Sequence, residues 1–164
     1  MANYWLDSTV FIEAKNGAYG FDIVPGFWEW IEQQSAAKVL SSSTLVHDEL
    51  VEGNDQLARW TKERKDSGLF VVPNETVQKV MTDIADFVSA SYDGANATLF
   101  LEGADAWTIA HAAIDGAVVV THEKLVGPNC RKAKIPNVAK QFGVKCVTPY
   151  EMLRALKASF VLRQ

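Results

Sequence analysis

The stretch Tyr4-Trp5-Leu6-Asp7-Ser8-Thr9-Val10-Phe11-Ile12-Glu13 narrows the fold more than any other in the chain. A short apolar run stops at Asp7, passes through two hydroxyl residues and resumes as Val10-Phe11-Ile12, the pattern of a buried strand that turns straight into a helix. Such a junction belongs to an open α/β sheet and sets Asp7 at the strand's carboxyl end. Ligands bind at that edge, because the loops diverge there and helix N-termini point toward it.

The rest of the chain repeats the alternation. Residues 39–43, 69–73, 117–121 and 145–147 are expected as strands, the fourth run (Ala117-Val118-Val119-Val120-Thr121) being apolar enough for the inside of a parallel sheet. Between them, Phe27, Trp28, Trp30 and Ile31 recur at helical spacing, and Val77, Val80, Met81, Ile84, Phe87 and Val88 make 75–91 the clearest amphipathic helix. Helices are also expected over 45–51, with Thr44 as cap, over 55–65, over a short piece at 97–101, from Asp105 to the stop at Gly116, and from Tyr150 to about Phe160. The reading is a single α/β domain over 1–164, a central parallel sheet of four to five strands flanked by helices.

With 164 residues one core is expected. A mean hydropathy of -0.02 and the absence of a long apolar run argue against membrane spans. The first residues lack a basic region followed by an apolar stretch, so the expectation is a soluble, cytoplasmic protein with Cys130 and Cys146 as free thiols. Sixteen Lys and Arg against twenty Asp and Glu give a net charge of -4, which offers no global attraction to nucleic acid. A polyanion must then be held by local basic groups, for which Arg131, Lys132 and Lys134 are the candidates, or through bound cations.

Asp7, Glu49, Asp105 and Glu123 come from four separate segments, each at or just beyond a strand's expected end. Two carboxylates about 4 Å apart repel by about 4 kcal/mol at an effective dielectric of 20. Clustering them calls for a cation, and hard ions such as Mg²⁺ or Mn²⁺ take oxygen ligands, bridge phosphate oxygens and activate water. A phosphodiester substrate matches that chemistry. Glu13, Asp48 and Asp115 are expected as surface or helix-end charges, and His111, well over half a turn from Asp105, as a packed or surface histidine.

These residues resemble the PIN-domain ribonucleases, a family that includes the VapC-type toxins of toxin-antitoxin pairs. The resemblance rests on Leu6-Asp7-Ser8-Thr9-Val10-Phe11-Ile12, Asp48-Glu49-Leu50, the run Ala104-Asp105-Ala106-Trp107-Thr108-Ile109-Ala110-His111-Ala112 and Val119-Val120-Thr121-His122-Glu123, which come in the family's order. Pro25-Gly26-Phe27-Trp28-Glu29-Trp30 and Lys134-Ile135-Pro136-Asn137-Val138 are similar to a PIN-like subfamily of largely uncharacterised prokaryotic proteins, so the match spans nearly the whole chain. It implies that Asp7, Glu49 and Asp105 bind one Mg²⁺ or Mn²⁺, with Glu123 assisting where the family more usually has aspartate. Thr9 matches the family's small polar position, and Thr9 or Thr121 would orient water or phosphate. Ala139 stands where the subfamily is expected to carry a cysteine. The resemblance further implies an RNA substrate, catalysis by Asp7, Glu49, Asp105, Glu123 and Thr9, an antitoxin partner and a homodimer.

Two rival readings remain. A PIN-like module that binds RNA or protein without cutting is favoured by Glu123 and by the net charge. A HAD-type phosphatase also uses an Asp after an N-terminal strand as nucleophile, but needs a second Asp two residues on, where this chain has Thr9.

Overall fold

The computed structural model describes residues 1–163. Its elements run β1 (Tyr4–Leu6), α1 (Ser8–Asn16), α2 (Pro25–Ala36), β2 (Leu40–Ser43), α3 (Thr44–Val51), α4 (Gln56–Glu63), β3 (Phe70–Val71), α5 (Glu75–Ser91), α6 (Gly94–Glu102), α7 (Asp105–Asp115), β4 (Val118–Val120), α8 (Ile135–Gln141), β5 (Cys146–Val147) and α9 (Pro149–Ala155). The five strands form one sheet in the order β3-β2-β1-β4-β5, every pairing parallel. The expected α/β architecture is therefore present.

The side-chain period of two along the strands divides the core into two layers. Leu6 and Val120 face one cluster, built on Phe11, Phe27, Trp28, Ile31, Val46, Leu57, Trp60 and Met152 from α1–α4 and α9. Trp5 and Val119 face the other, built on Val77, Ile84, Phe100, Ile109, Ile135 and Val138 from α5–α8. Phe21 stacks on Trp28 at 4.0 Å and Trp28 meets Trp60 edge-on at 5.0 Å, so these aromatic rings are used in packing. On the second face Trp5 stacks on buried His111 at 4.1 Å, and its Nε1–H donates to Asp115 Oδ2 at 2.9 Å. Asp115, at the end of α7, also accepts from the Ala2 amide and so ties the chain's start to that helix.

From β1 the chain steps outward to β2 and β3, then returns to place β4 on the other side of β1. The strand order thus reverses between β1 and β4. Carboxyl ends at such a switch point diverge and leave a crevice. Asp7 follows β1 and Thr121-His122-Glu123 follows β4, so both motifs arrive at it.

Several boundaries differ from the sequence expectation for local reasons. α3 is capped by Ser43, whose hydroxyl accepts from the Leu45 amide, because Thr44 is already helical. Asp93 caps α6, which starts at Gly94 and is longer than the expected piece. α8 carries Pro136 in its first turn, where the missing N–H costs nothing. α9 stops at Ala155 because Lys157 takes φ 54, and the Lys157 and Ala158 amides close back onto Arg154 and Leu153. The tail then brings Phe160 against Tyr19 and Phe27.

Candidate active site

Asp7 is the N-cap of α1, yet its carboxylate makes no cap bond to that helix. It is buried, and Oδ2 accepts from Thr9 Oγ at 2.7 Å and from Thr121 Oγ at 2.8 Å. Each threonine oxygen in turn accepts a backbone N–H, Thr9 from His122 at 3.1 Å and Thr121 from Glu123 at 3.0 Å. Two amides, two hydroxyls and one carboxylate therefore lock the segment after β4 onto the end of β1. The hydroxyls of Thr9 and Thr121 are aimed at Asp7, which makes both threonines holders of that carboxylate.

Of the adjacent acids on α3, Glu49 turns to the site and Asp48 is exposed beside His47. Glu49 Oε1 accepts from the Ala104 amide at 2.7 Å, at the start of α7. The Ala104 amide has no partner inside the helix it opens, and a carboxylate from another helix accepts it. Asp105 is the next residue. Burial, then the charges of Asp7, Glu123 and Glu49, push its pKa up to about 8, with Lys134 offsetting part of the rise. The other three acids read from the sequence thus all act on Asp105 through their charge.

Glu123 is held at both oxygens. Oε2 accepts from the Ile135 amide at 2.9 Å, and Oε1 lies 3.8 Å from Lys134 Nζ. Burial raises its pKa first and Asp7 adds to the rise, while the Ile135 N–H and Lys134 work against it. Lys134 is therefore the cation of the acidic site, whereas Arg131 and Lys132 line a separate cavity. Cys146, on the neighbouring strand, is pushed up to about 11 by burial and then by Asp7 and Glu123, so it stays a thiol. His111 packs on Trp5 in the far layer, and buried Ala139 contributes only to the core.

The donor set is all oxygen, which suits a hard divalent ion. As placed, no three His, Cys, Asp or Glu side chains among the described residues stand together as an ion cage. Asp7 accepts from two threonine hydroxyls, while Glu49 and Glu123 each accept a backbone N–H.

Sequence named Glu49 over Asp48 but could not show that Thr121 reaches Asp7 from 114 residues away. A side chain at position 103 would crowd the Glu49 contact with Ala104, since a Cβ on Gly103 would stand 3.0 Å from Glu49 Oε1.

Residues 4–160 match a family described as a domain of unknown function, DUF4411. Neither a curated protein nor a solved structure matches the chain.

Proposed function

We propose that this chain, which belongs to the DUF4411 family, is a metal-dependent endoribonuclease that hydrolyses RNA phosphodiester bonds. The observation that carries the reading is the convergence of Asp7, Glu49 and Glu123 on Asp105 at the point where strand order reverses. The buried Asp7 and three half-buried carboxylates, with Lys134 beside Glu123, make a site that gains from a divalent cation and, through it, from a phosphodiester.

In this reading Asp7 and Asp105 hold Mg²⁺ or Mn²⁺, with Glu49 and Glu123 alongside. Bound there, the ion would polarise a phosphate oxygen and lower the pKa of a water. Thr9 and Thr121 keep the Asp7 carboxylate in one orientation, and Glu49 fixes the start of α7 and thereby Asp105. Lys134 stands ready to exchange Glu123 for a substrate phosphate, while Arg131 and Lys132 hold the strand further along. The resemblance to VapC-type proteins extends the proposal to a toxin role, an antitoxin partner and a homodimer. Among the described residues no helix is long and apolar enough to cross a membrane.

Labelled single-stranded and structured RNAs are expected to be cut with Mn²⁺ or Mg²⁺ and left intact with EDTA. RNA left intact in every condition while calorimetry still detects a bound ion would favour the non-cutting module, a reading supported by the hydrogen bonds and ion pair that already occupy Glu49 and Glu123. No metal binding at all would remove the site itself.

Gly103→Ala provides a finer test. Its new methyl group would meet only the far end of the Glu49 side chain, so the fold accommodates it while Glu49 leaves the Ala104 amide. Cleavage is expected to fall about tenfold, the lower end for losing a supporting contact, with a thermal midpoint within a few degrees of wild type. A large drop in the midpoint with normal cleavage by the folded fraction would show that Glu49 only supports the fold.

A further inference from the structure

We propose that the cavity between the α5–α6 junction and the loop 126–132 is a subsite for one nucleotide of the RNA strand whose scissile phosphate enters the carboxylate site. The inference rests on the ribonuclease reading and adds to it a place where the strand is gripped and a base is read.

The cavity has a volume of about 320 Å³, within the range of small-ligand sites. Arg131 and Lys132 line it together with Tyr92, Asn129 and Asn137. Neither cation makes an ion pair among the described residues, unlike Lys15 with Asp55, Arg64 with Glu32 or Lys134 with Glu123. Asp93 is the one carboxylate on its wall, and its oxygens accept from the Asn96 amide and side chain at the head of α6. The Arg131 charge adds to the lowering of the Asp93 pKa behind its Asn96 hydrogen bonds, and among the described residues neither Arg131 nor Lys132 is tied down by an ion pair. The chain's net charge of -4 makes such local cations the means of holding a polyanion.

The loop wall is built in place. Asn137 clamps Val126 from both sides, Oδ1 accepting its amide at 3.0 Å and Nδ2 donating to its carbonyl at 2.8 Å. The Cys130 amide closes a turn onto Gly127, and the Cys130 thiol donates to the Lys132 carbonyl. The same helix ties this wall to the acidic site, since Glu123 accepts the amide of Ile135, two residues before Asn137 on α8.

The chemistry of the lining divides the contacts. Arg131 and Lys132 take phosphate oxygens, the half-buried Tyr92 ring offers a face for a base, and exposed Asn129 carries a donor and an acceptor for the base edge. Burial raises the Tyr92 phenol above its usual range, so it meets the strand uncharged.

The test is fluorescence anisotropy of a labelled single-stranded RNA oligomer in EDTA, across a salt series. Arg131→Ala with Lys132→Ala is expected to weaken binding at least tenfold and to make the salt slope shallower by about 1.4, the value for two phosphate contacts on a single strand. Tyr92→Leu is expected to lose about tenfold with the slope unchanged, as loss of a stacking contact does. Lys62→Ala with Lys65→Ala, on exposed positions of and just beyond α4, is expected to stay within twofold. The inference is overturned if wild type does not bind, if the cavity variants bind like wild type, or if the α4 variant weakens binding as much. Cleavage with Mn²⁺ separates the two ideas. Binding through the cavity without cutting would retain the subsite and remove the ribonuclease, and cutting that the cavity variants leave unchanged, with RNA binding also unchanged, would do the reverse.

Discussion

Asp105→Asn abolishes RNA cleavage, lowering the rate by at least about a hundredfold, and at the same time makes the metal-free protein more stable at pH 8. The opposite signs are the point of the experiment. Burial and three neighbouring carboxylates hold the folded-state pKa of Asp105 near 8, so between the ordinary carboxylate range and that value the folded chain keeps a proton that the unfolded chain has released. The folded state binds more protons, and stability therefore falls as pH rises through the window. One proton changes stability by about 1.4 kcal/mol per pH unit. Water entry and relaxation reduce the sum, leaving a gain on the order of 2 kcal/mol for the neutral amide at pH 8. A divalent ion acts the other way, stabilising wild type by about 2.7 kcal/mol at a hundred times its dissociation constant and the variant far less. Urea titrations with EDTA and with Mg²⁺, set beside cleavage rates, measure all three effects. A variant that still cuts, or that is less stable than wild type at pH 8 without metal, would sink the assignment of Asp105.

Asp7 was legible in the sequence because a fully apolar strand ends on it, and a buried strand has no other reason to stop at a carboxylate. Glu123 was legible from its place after the Val-Val-Val run of β4. What the sequence hid was the division of labour. Thr9 and Thr121 are far apart in the chain, and only the parallel pairing of β1 with β4 brings both hydroxyls onto one Asp7 oxygen. Lys134, Arg131 and Lys132 form one basic run in the sequence, yet the turn into α8 sends Lys134 to Glu123 and leaves the other two on the cavity. α8 gave little helical signal because seven residues show barely two turns of periodicity. The end of α9 was hidden for a different reason, since its left-handed closing residue is Lys157 where glycine would have announced it.

His111 gives the second pH-dependent result. Sealed between Trp5 and the far layer, with Nε2 lacking a hydrogen-bond partner, it has its pKa lowered to about 4 by burial, against a smaller opposing pull from Asp115. Below its ordinary value near 6.5 the unfolded chain takes up a proton that the folded chain refuses. The stability it supports is therefore complete above that pH and is lost as pH falls toward 4. At about 1.4 kcal/mol per unit, the loss is on the order of 3 kcal/mol over the window. Over the same window Asp105 contributes a slope of the opposite sign. Wild type without metal is thus expected to lose less stability than Asp105→Asn on acidification from about pH 6.5 to 4, and to lose stability as pH rises from about 6.5 to 8. His111→Phe, which keeps a ring against Trp5 but cannot titrate, leaves the Asp105 slope uncovered, so its stability continues to climb on acidification. Asp105→Asn leaves the histidine slope, so its stability falls on acidification. Urea midpoints for both variants at about pH 4.5, 5.5, 6.5 and 7.5 in EDTA read the two slopes separately, and a His111→Phe profile that tracks wild type would show that the buried imidazole takes up its proton as readily folded as unfolded.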